Sequence, residues 1–332
     1  MNNNNKVLAL KYRPQTFEDL IGQKTLVETL SNALSLNRVA HAYLLTGVRG
    51  VGKTTTARLI AMALNCETKK ENNIEPCAQC ESCISIKEDR NIDVIEIDAA
   101  SKTGVDDIRE IIDNVKYKPV ISKYKIFIID EVHMLSTHSF NALLKTLEEP
   151  PPHLKFLLAT TDPEKLPATI LSRCLQFNLR AIDSEQIEEN FQSILRQEAI
   201  DYEELALKRL SQVARGSMRD GLSLLDQAIA FGDGKVTDES VRQMLGMIDS
   251  QHLKEIVQAL SQNNAMGLVT AVQDIKYRAL DYNAVLDDLL LILHDIVLYH
   301  VALEALEAKG SDVESIGCLL YTSPSPRDGL LS

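Results

Sequence analysis

The pattern of apolar positions divides the chain in two. Up to about residue 180, short apolar runs alternate with longer stretches of helical period. The runs predict strands at Ala42–Leu45, Asp93–Asp98, Lys125–Asp130, Phe156–Thr161 and Leu175–Leu179. Between and before them, Thr25–Leu36, Thr55–Leu64, about Val105–Tyr117, Ser139–Glu148 and Leu166–Arg173 read as helices, the first with Leu26, Leu30, Ala33 and Leu34 on one face. Pro150-Pro151-Pro152 stops the Ser139–Glu148 helix. Runs of apolar residues without polar alternation suit strands buried on both faces. Strands taking turns with helices argue an α/β fold with a parallel, doubly wound sheet. Lys6–Leu20 is predicted as an extended lead-in, because Pro14 blocks a helix there. On pattern alone it is a packing arm.

From about Ala181 the strand signal stops. Ser184–Glu198, Tyr202–Ala214, Ser217–Ala230 and Thr237–Leu245 read as four helices of a small domain, with Ser217 placed as an N-cap. Three more follow at about His252–Ser261, Ala265–Arg278 and Tyr282–Glu307. The last is apolar on several faces (Leu286, Leu289–Leu293, Ile296, Val297), which suits either a helix packed between subunits or an ordinary core helix. Residues 317–332 have no period and two close prolines, and are expected to be a non-native tail. The expected organisation is therefore a nucleotide-binding domain over 1–180, a helical lid over 181–245, and a helical domain over 246–316 that is cut short.

Composition narrows the class. A chain of 332 residues allows two or three domains, each with its own core. Its 35 basic and 47 acidic residues leave a net charge of −12, which argues against a broad basic surface that binds nucleic acid unaided. Aromatics are 5% and tryptophan is absent, so base stacking is a poor first guess. No signal-peptide pattern and no apolar span of membrane length is present, and the expectation is a cytoplasmic protein without membrane contact. Its six cysteines are then reduced thiols or metal ligands.

The strongest chemical signal is Gly47-Val48-Arg49-Gly50-Val51-Gly52-Lys53-Thr54, the pattern G-x-x-x-x-G-K-[ST] between a strand and a helix. Glycines let backbone N–H groups wrap an anion, and the following helix offers its positive end. Lys53 is expected on the β- and γ-phosphates and the Thr54 hydroxyl on Mg²⁺, with the binding stretch running to Thr55. Asp130 and Glu131 end an apolar strand, where ligands of such sheets sit. Asp130 is read as holding Mg²⁺ through water, and Glu131 as orienting or deprotonating the attacking water. Lys102 and Thr103 near a helix start suit a phosphate or simply a capped helix.

The second signal is Cys66 followed by Cys77-x-x-Cys80-x-x-Cys83. Four thiolates close a tetrahedral Zn²⁺ site with no open position, which makes it structural. A disulfide pair or a redox C-x-x-C are the alternatives; the latter leaves two cysteines unexplained. Cys174 and Cys318 stand apart as bystanders.

From about Val7 to Glu307 the chain resembles the gamma/tau clamp-loader ATPases of bacterial DNA polymerase III, within the AAA+ family. The motifs that carry the resemblance are Tyr12-Arg-Pro-Gln-Thr-Phe17, Gly47–Thr54, Asn65-Cys66-Glu67 with the cysteine run, Asp130-Glu-Val-His-Met-Leu-Ser136, Leu143–Pro150 and Ile170-Leu-Ser-Arg-Cys174. The resemblance implies an AAA+ P-loop domain with a zinc-binding insertion, a lid and a collar. It implies ATP, Mg²⁺ and Zn²⁺ as ligands. It assigns Arg173 as an arginine finger acting on a neighbour's ATP, Thr161 as the sensor of the γ-phosphate, Arg219 as the lid sensor, and Tyr12 and Arg13 as a segment along the adenine. It implies as partners delta and delta-prime subunits, further gamma/tau copies, the sliding clamp and primer-template DNA. Lys102 and Lys145 are weak candidates for an inner DNA groove. A different AAA+ motor is disfavoured by the cysteine run and Leu143–Pro150. A non-hydrolysing loader arm is disfavoured by the presence of Lys53, Thr54, Asp130 and Glu131. No polymerase motif is visible.

Overall fold

In the computed structural model, the described residues are 7–35, 39–68, 74–101, 115, 117–246, 250–277 and scattered positions between 286 and 297. The chain forms two units, Met1–Val236 and Thr237–Ser332.

The first unit is built on five parallel strands: β1 Ala42–Thr46, β2 Val94–Asp98, β3 Lys125–Asp130, β4 Leu154–Thr160 and β5 Leu175–Asn178. Their order across the sheet is β2-β3-β4-β1-β5. β1 and β4 are buried at every position, as their unbroken apolar runs require. Ala42 and Leu44, Phe127 and Ile129, and Phe156 and Leu158 alternate onto one face and meet Phe140, Leu143, Leu147 and Ile170. The helix Lys53–Asn65, rich in buried alanine and leucine, packs against β1, β3 and β4.

Helix boundaries follow local chemistry. We label α1 Leu8–Lys11, α2 Lys24–Ser35, α3 Lys53–Asn65, α4 Glu81–Lys87, α5 Thr137–Glu148 and α6 Ala168–Leu171. Ser136 caps α5, accepting from Ser139 N–H at 3.2 Å. The triple proline lies just beyond the end of α5. The lead-in departs from its expected form. Leu8–Lys11 makes one helical turn, because Pro14 restricts only its own position and Arg13 before it, and the turn is complete by Lys11. The Val105–Tyr117 helix, with Lys102 and Thr103 before it, lies outside the described residues apart from Val115 and Tyr117.

Three helices complete this unit: α7 Ser184–Glu198, α8 Glu204–Val213 and α9 Met218–Phe231. Ile187, Phe191, Ile194, Leu207, Leu210, Leu222 and Leu225 form their shared interior. Ser217 caps α9 by accepting from Asp220 N–H at 3.2 Å.

The second unit contains α10 Asp238–Met244, α11 Ser250–Ser261 and α12 Ala265–Tyr277. Thr237 and Ser240 make a reciprocal cap at the start of α10, which sequence grouped with the lid. Leu253, Ile256 and Ala271 form its small core, with Leu268, Leu289 and Ile292 against it. The stretch from Tyr282 to Glu307 is described only at scattered positions, and residues 317–332 lie outside the description.

Candidate active site

The site gathers at the carboxyl ends of β1, β3 and β4. The loop after β1 turns through positive φ at Gly47 (144°), Gly50 (76°) and Gly52 (101°). Two of these glycines are required by protein packing. A Cβ on Gly47 would stand 2.5 Å from the Leu179 carbonyl, and one on Gly50 would stand 2.0 Å from Ser217 Oγ. Gly52 differs: nothing lies within 4 Å of its would-be Cβ, so the loop is open there. An open, glycine-lined turn leading into the amino end of α3 is a cradle for an anion.

Lys53 is buried, 5% exposed, and its ammonium donates to the carbonyls of Gly47 (2.9 Å) and Val48 (3.1 Å). Burial pushes Lys53 below its usual value, while Glu131 and then Asp130 act to hold it charged. The Thr54 hydroxyl donates to Asp130 Oδ2 at 2.6 Å, so the hydroxyl and carboxylate that suit a hard divalent cation are already adjacent. Glu131 follows in the left-handed region, φ 46°, an uncommon conformation for a residue with a side chain. Its Oε2 accepts from Thr161 N–H at 3.1 Å and the Thr161 hydroxyl at 3.0 Å. β4 itself ends at Thr160, and Thr161 starts the turn beyond it.

The lead-in and the three-helix layer reach the same region. Arg13 Nε donates to Thr55 Oγ1 at 3.0 Å, and the group lies among Arg58, Glu96, Arg219 and Asp130. Burial, then the nearby Arg58, lower Arg13 from its usual value. Arg58 makes a two-pronged pair with Glu96, at 2.5 and 2.8 Å. Arg219 N–H donates to the Gly50 carbonyl at 3.3 Å, so the amino end of α9 sits directly on the phosphate loop. The Tyr12 hydroxyl donates to Glu198 at the end of α7, beside Lys11, whose ammonium is 2.5 Å from the same carboxylate. Burial, with the Glu198 hydrogen bond second, pushes the Tyr12 phenol up to about 12.

Arg173 touches none of these groups. Its guanidinium pairs with Glu148 at 2.9 Å and donates to the Thr169 carbonyl at 2.8 Å. Leu175, two residues on, pairs with Tyr43 near the start of β1. Arg173 therefore stands at the amino end of the sheet, whereas the phosphate loop leaves the carboxyl end. Five residues of β1 separate the two levels, roughly 16 Å at about 3.3 Å per residue.

The four cysteines converge: the sulfurs of Cys66, Cys77, Cys80 and Cys83 all lie within 4.8 Å of one another. Cys77 and Cys83 Sγ are 3.9 Å apart, close to the ~3.8 Å edge of a tetrahedron with Zn–S of ~2.3 Å and far beyond the ~2.05 Å of a disulfide. Burial would raise the Cys77 thiol, but hydrogen bonds from Thr68 and from the N–H groups of Gln79 and Cys80 bring it down to about 6. Cys80 caps α4, and Cys77 N–H points at Cys66 Sγ at 3.4 Å. The donor set fits Zn²⁺ in a closed site. Cys174 lies apart, packed on the main core, and burial raises its thiol to about 11.

Sequence reasoning did not single out three groups near the site. His133, Thr160 and Asp162 surround Glu131 and Thr161. His133 stands in the run Asp130-Glu131-Val132-His133, and that spacing was the only signal available. Lys145 is exposed on α5.

Known proteins agree with this construction. Family models described as "DNA polymerase III, delta subunit", "DNA polymerase III clamp loader subunit, ATPase lid domain" and "DNA polymerase III subunits gamma and tau domain III" match residues 22–183, 186–234 and 236–316. DNA polymerase III subunit tau of Salmonella typhimurium is 51% identical over 311 residues, covering 94% of this chain and 48% of that protein. DNA polymerase III subunit gamma of Buchnera aphidicola (subspecies Acyrthosiphon pisum) is 46% identical and covers 88% of this chain and 81% of that one. The chain thus spans about half the length of the tau relatives it matches. Among solved structures, the Thermotoga maritima RuvB Holliday junction branch migration motor superposes with a TM-score of 0.51 over 75% of this chain and 79% of that one, at 18% identity, a likeness of fold alone.

Proposed function

The chain belongs to the gamma/tau family of DNA polymerase III subunits, and from that premise we propose that it is an ATP-driven motor subunit of a clamp loader. In this reading it binds ATP, hydrolyses it, and uses the cycle to open a sliding clamp and leave it closed on primed DNA. The observation that carries the reading is the Thr54–Asp130 contact at 2.6 Å beside an open glycine loop, with Glu131 held at the next position. A non-hydrolysing arm has no need of all four groups.

Each residue has a physical task. The loop from Gly47 to Thr55 wraps the phosphates with backbone N–H groups, and Lys53 gives up its two carbonyl contacts to meet the β- and γ-oxygens. Thr54 and Asp130 would hold Mg²⁺, which would neutralise phosphate charge. Glu131 orients and deprotonates the attacking water. Thr161, bonded to Glu131 through both its N–H and its hydroxyl, feels the γ-phosphate. Arg219, whose N–H meets Gly50, couples the phosphate loop to the lid. Arg13 lies on the nucleotide side through Thr55, and Tyr12 ties the same segment to α7.

Arg173 serves a neighbour's site, since its place at the amino end of the sheet puts its own phosphate loop out of reach. A guanidinium acting in trans requires an oligomer, and stabilises charge on the transferring phosphoryl group by about 10³-fold or more. The expected partners are further gamma/tau copies, delta and delta-prime, the clamp and primer-template DNA. Zn²⁺ on Cys66, Cys77, Cys80 and Cys83 is structural. The proposed location is cytoplasmic, as a part in replication requires; separately, no described helix is long and apolar enough to cross a membrane.

Loading of a labelled clamp onto primed circular DNA, followed by gel filtration, tests the proposal. Clamp should co-elute with DNA only when this chain, delta, delta-prime and ATP are all present, and not with Lys53→Ala. Loading that is indifferent to this chain would refute the reading.

A further inference from the structure

Besides the Thr161 N–H, the carboxylate of Glu131 is served by a hydroxyl proton it shares with a second carboxylate. The Thr161 hydroxyl lies 3.0 Å from Glu131 Oε2 and 3.1 Å from Asp162 Oδ2. A hydroxyl has one proton to donate, so it serves one carboxylate or the other. The outcome turns on what else satisfies Asp162. His133 Nε2 stands 3.3 Å from the same Oδ2, and Lys165 Nζ stands 3.5 Å from it. A carboxylate oxygen accepts about two hydrogen bonds. Both groups therefore compete with the Thr161 hydroxyl for that oxygen, and the more of its charge they satisfy, the more the Thr161 proton is left for Glu131.

The His133 ring is fixed for this task. Its side chain is 7% exposed, and Nδ1 lies 2.9 Å from Thr160 Oγ1 and 3.3 Å from Glu131 Oε2. Thr160 Oγ1 in turn accepts from Asp162 N–H at 3.1 Å. With the hydrogen assigned to Nε2, Asp162 N–H serves Thr160, the Thr160 hydroxyl serves Nδ1, and the Nε2 edge of the ring faces Asp162 at 3.3 Å. The charged groups facing the ring are Glu131 and Asp162, with Lys165 behind Asp162. The same contacts hold Glu131 at φ 46°, a conformation that persists only where its surroundings over-determine it.

We propose that His133 is a positioning residue for Glu131: by occupying Asp162 it commits the Thr161 hydroxyl to the carboxylate that activates water. The inference rests on the ATPase reading above.

The test compares steady-state ATP hydrolysis by the full chain, assembled with its partners, across His133→Leu, His133→Gln, His133→Asn and the double variant His133→Leu/Asp162→Ala. His133→Leu should lower kcat about ten- to a hundredfold with KM for ATP within about threefold. His133→Gln, whose amide reaches as far as Nε2, should recover most of the rate. His133→Asn reaches toward Thr160 but not Asp162, and should stay slow. Removing the competing carboxylate in His133→Leu/Asp162→Ala should also restore turnover, an effect no packing role predicts. If His133→Leu fails to fold, the Gln-against-Asn contrast carries the same test. A wild-type rate in His133→Leu, or equal defects in Gln and Asn, would overturn the inference while leaving the ATPase reading intact. A parent chain that binds ATP but never hydrolyses it would overturn both.

Discussion

Lys53 and Glu131 separate binding from chemistry. Lys53 is buried with its ammonium on its own loop carbonyls, and Glu131 and Asp130 help to keep it charged. Lys53→Ala is therefore expected to abolish ATP binding in a fluorescence titration, while the loop glycines keep their fold. Glu131→Gln keeps the shape and most of the contacts of the side chain, but not its basicity. It should bind ATP within a few-fold of the parent and turn over at least about a hundredfold more slowly, the usual worth of a general base. Normal turnover in that variant would remove Glu131 from the mechanism. These residues were legible in sequence because their chemistry forces a spacing: a glycine loop must be followed at once by its lysine and hydroxyl, and an acid pair must end a strand. His133, Thr160 and Asp162 were not legible as a group. Their convergence depends on how the turn after β3 and the end of β4 fold beside each other, and no local pattern encodes that. Tyr12 carried a role by resemblance alone, and the bond of its hydroxyl to Glu198 on α7 is a contact that no motif announces.

Between elements, the decisive contact is the amino end of α9 on the phosphate loop. Gly50 exists for that contact, because a Cβ there would meet Ser217 Oγ at 2.0 Å, and Ser217 is committed to capping α9. Gly50→Ala should therefore cost about 1–3 kcal/mol in denaturant unfolding, as overpacking does. Gly52→Ala meets no protein atom within 4 Å and should cost less in the unliganded protein, chiefly the strain of φ 101°. It should weaken ATP binding at least tenfold, because its Cβ enters the open side of the cradle. Equal effects on stability and on ATP affinity in both variants would contradict this division. Sequence supplied the glycines but not their separate reasons, since the pattern is blind to what packs behind each. The central strands β1, β3 and β4 were legible because strands buried on both faces need largely apolar runs, whereas the edge strands β2 and β5 are partly exposed and carry polar residues. The cysteine cluster makes a similar element-scale expectation: metal analysis should return about one Zn²⁺ per chain, and chelation should lower the melting temperature. Carefully prepared protein free of zinc would overturn the assignment.

For the whole molecule, the arrangement of ends matters most. The phosphate loop and Arg173 lie at opposite ends of one sheet, so in the proposed assembly a ring or spiral of like subunits would bring the arginine of one to the nucleotide of the next. Arg173→Ala should leave ATP affinity of the isolated chain unchanged and lower hydrolysis in the assembled complex by about 10³-fold. Equal activity there would refute the trans role. The net charge of −12 fits a DNA surface shared between subunits rather than presented by one.

The proposed function of this chain is that of an active clamp-loader ATPase. Its most direct test is the steady-state rate of ATP hydrolysis with delta, delta-prime, clamp and primed DNA, omitting each in turn. Strong stimulation that needs both clamp and primed DNA is the expected result. Hydrolysis at the same rate without clamp or DNA would contradict the account.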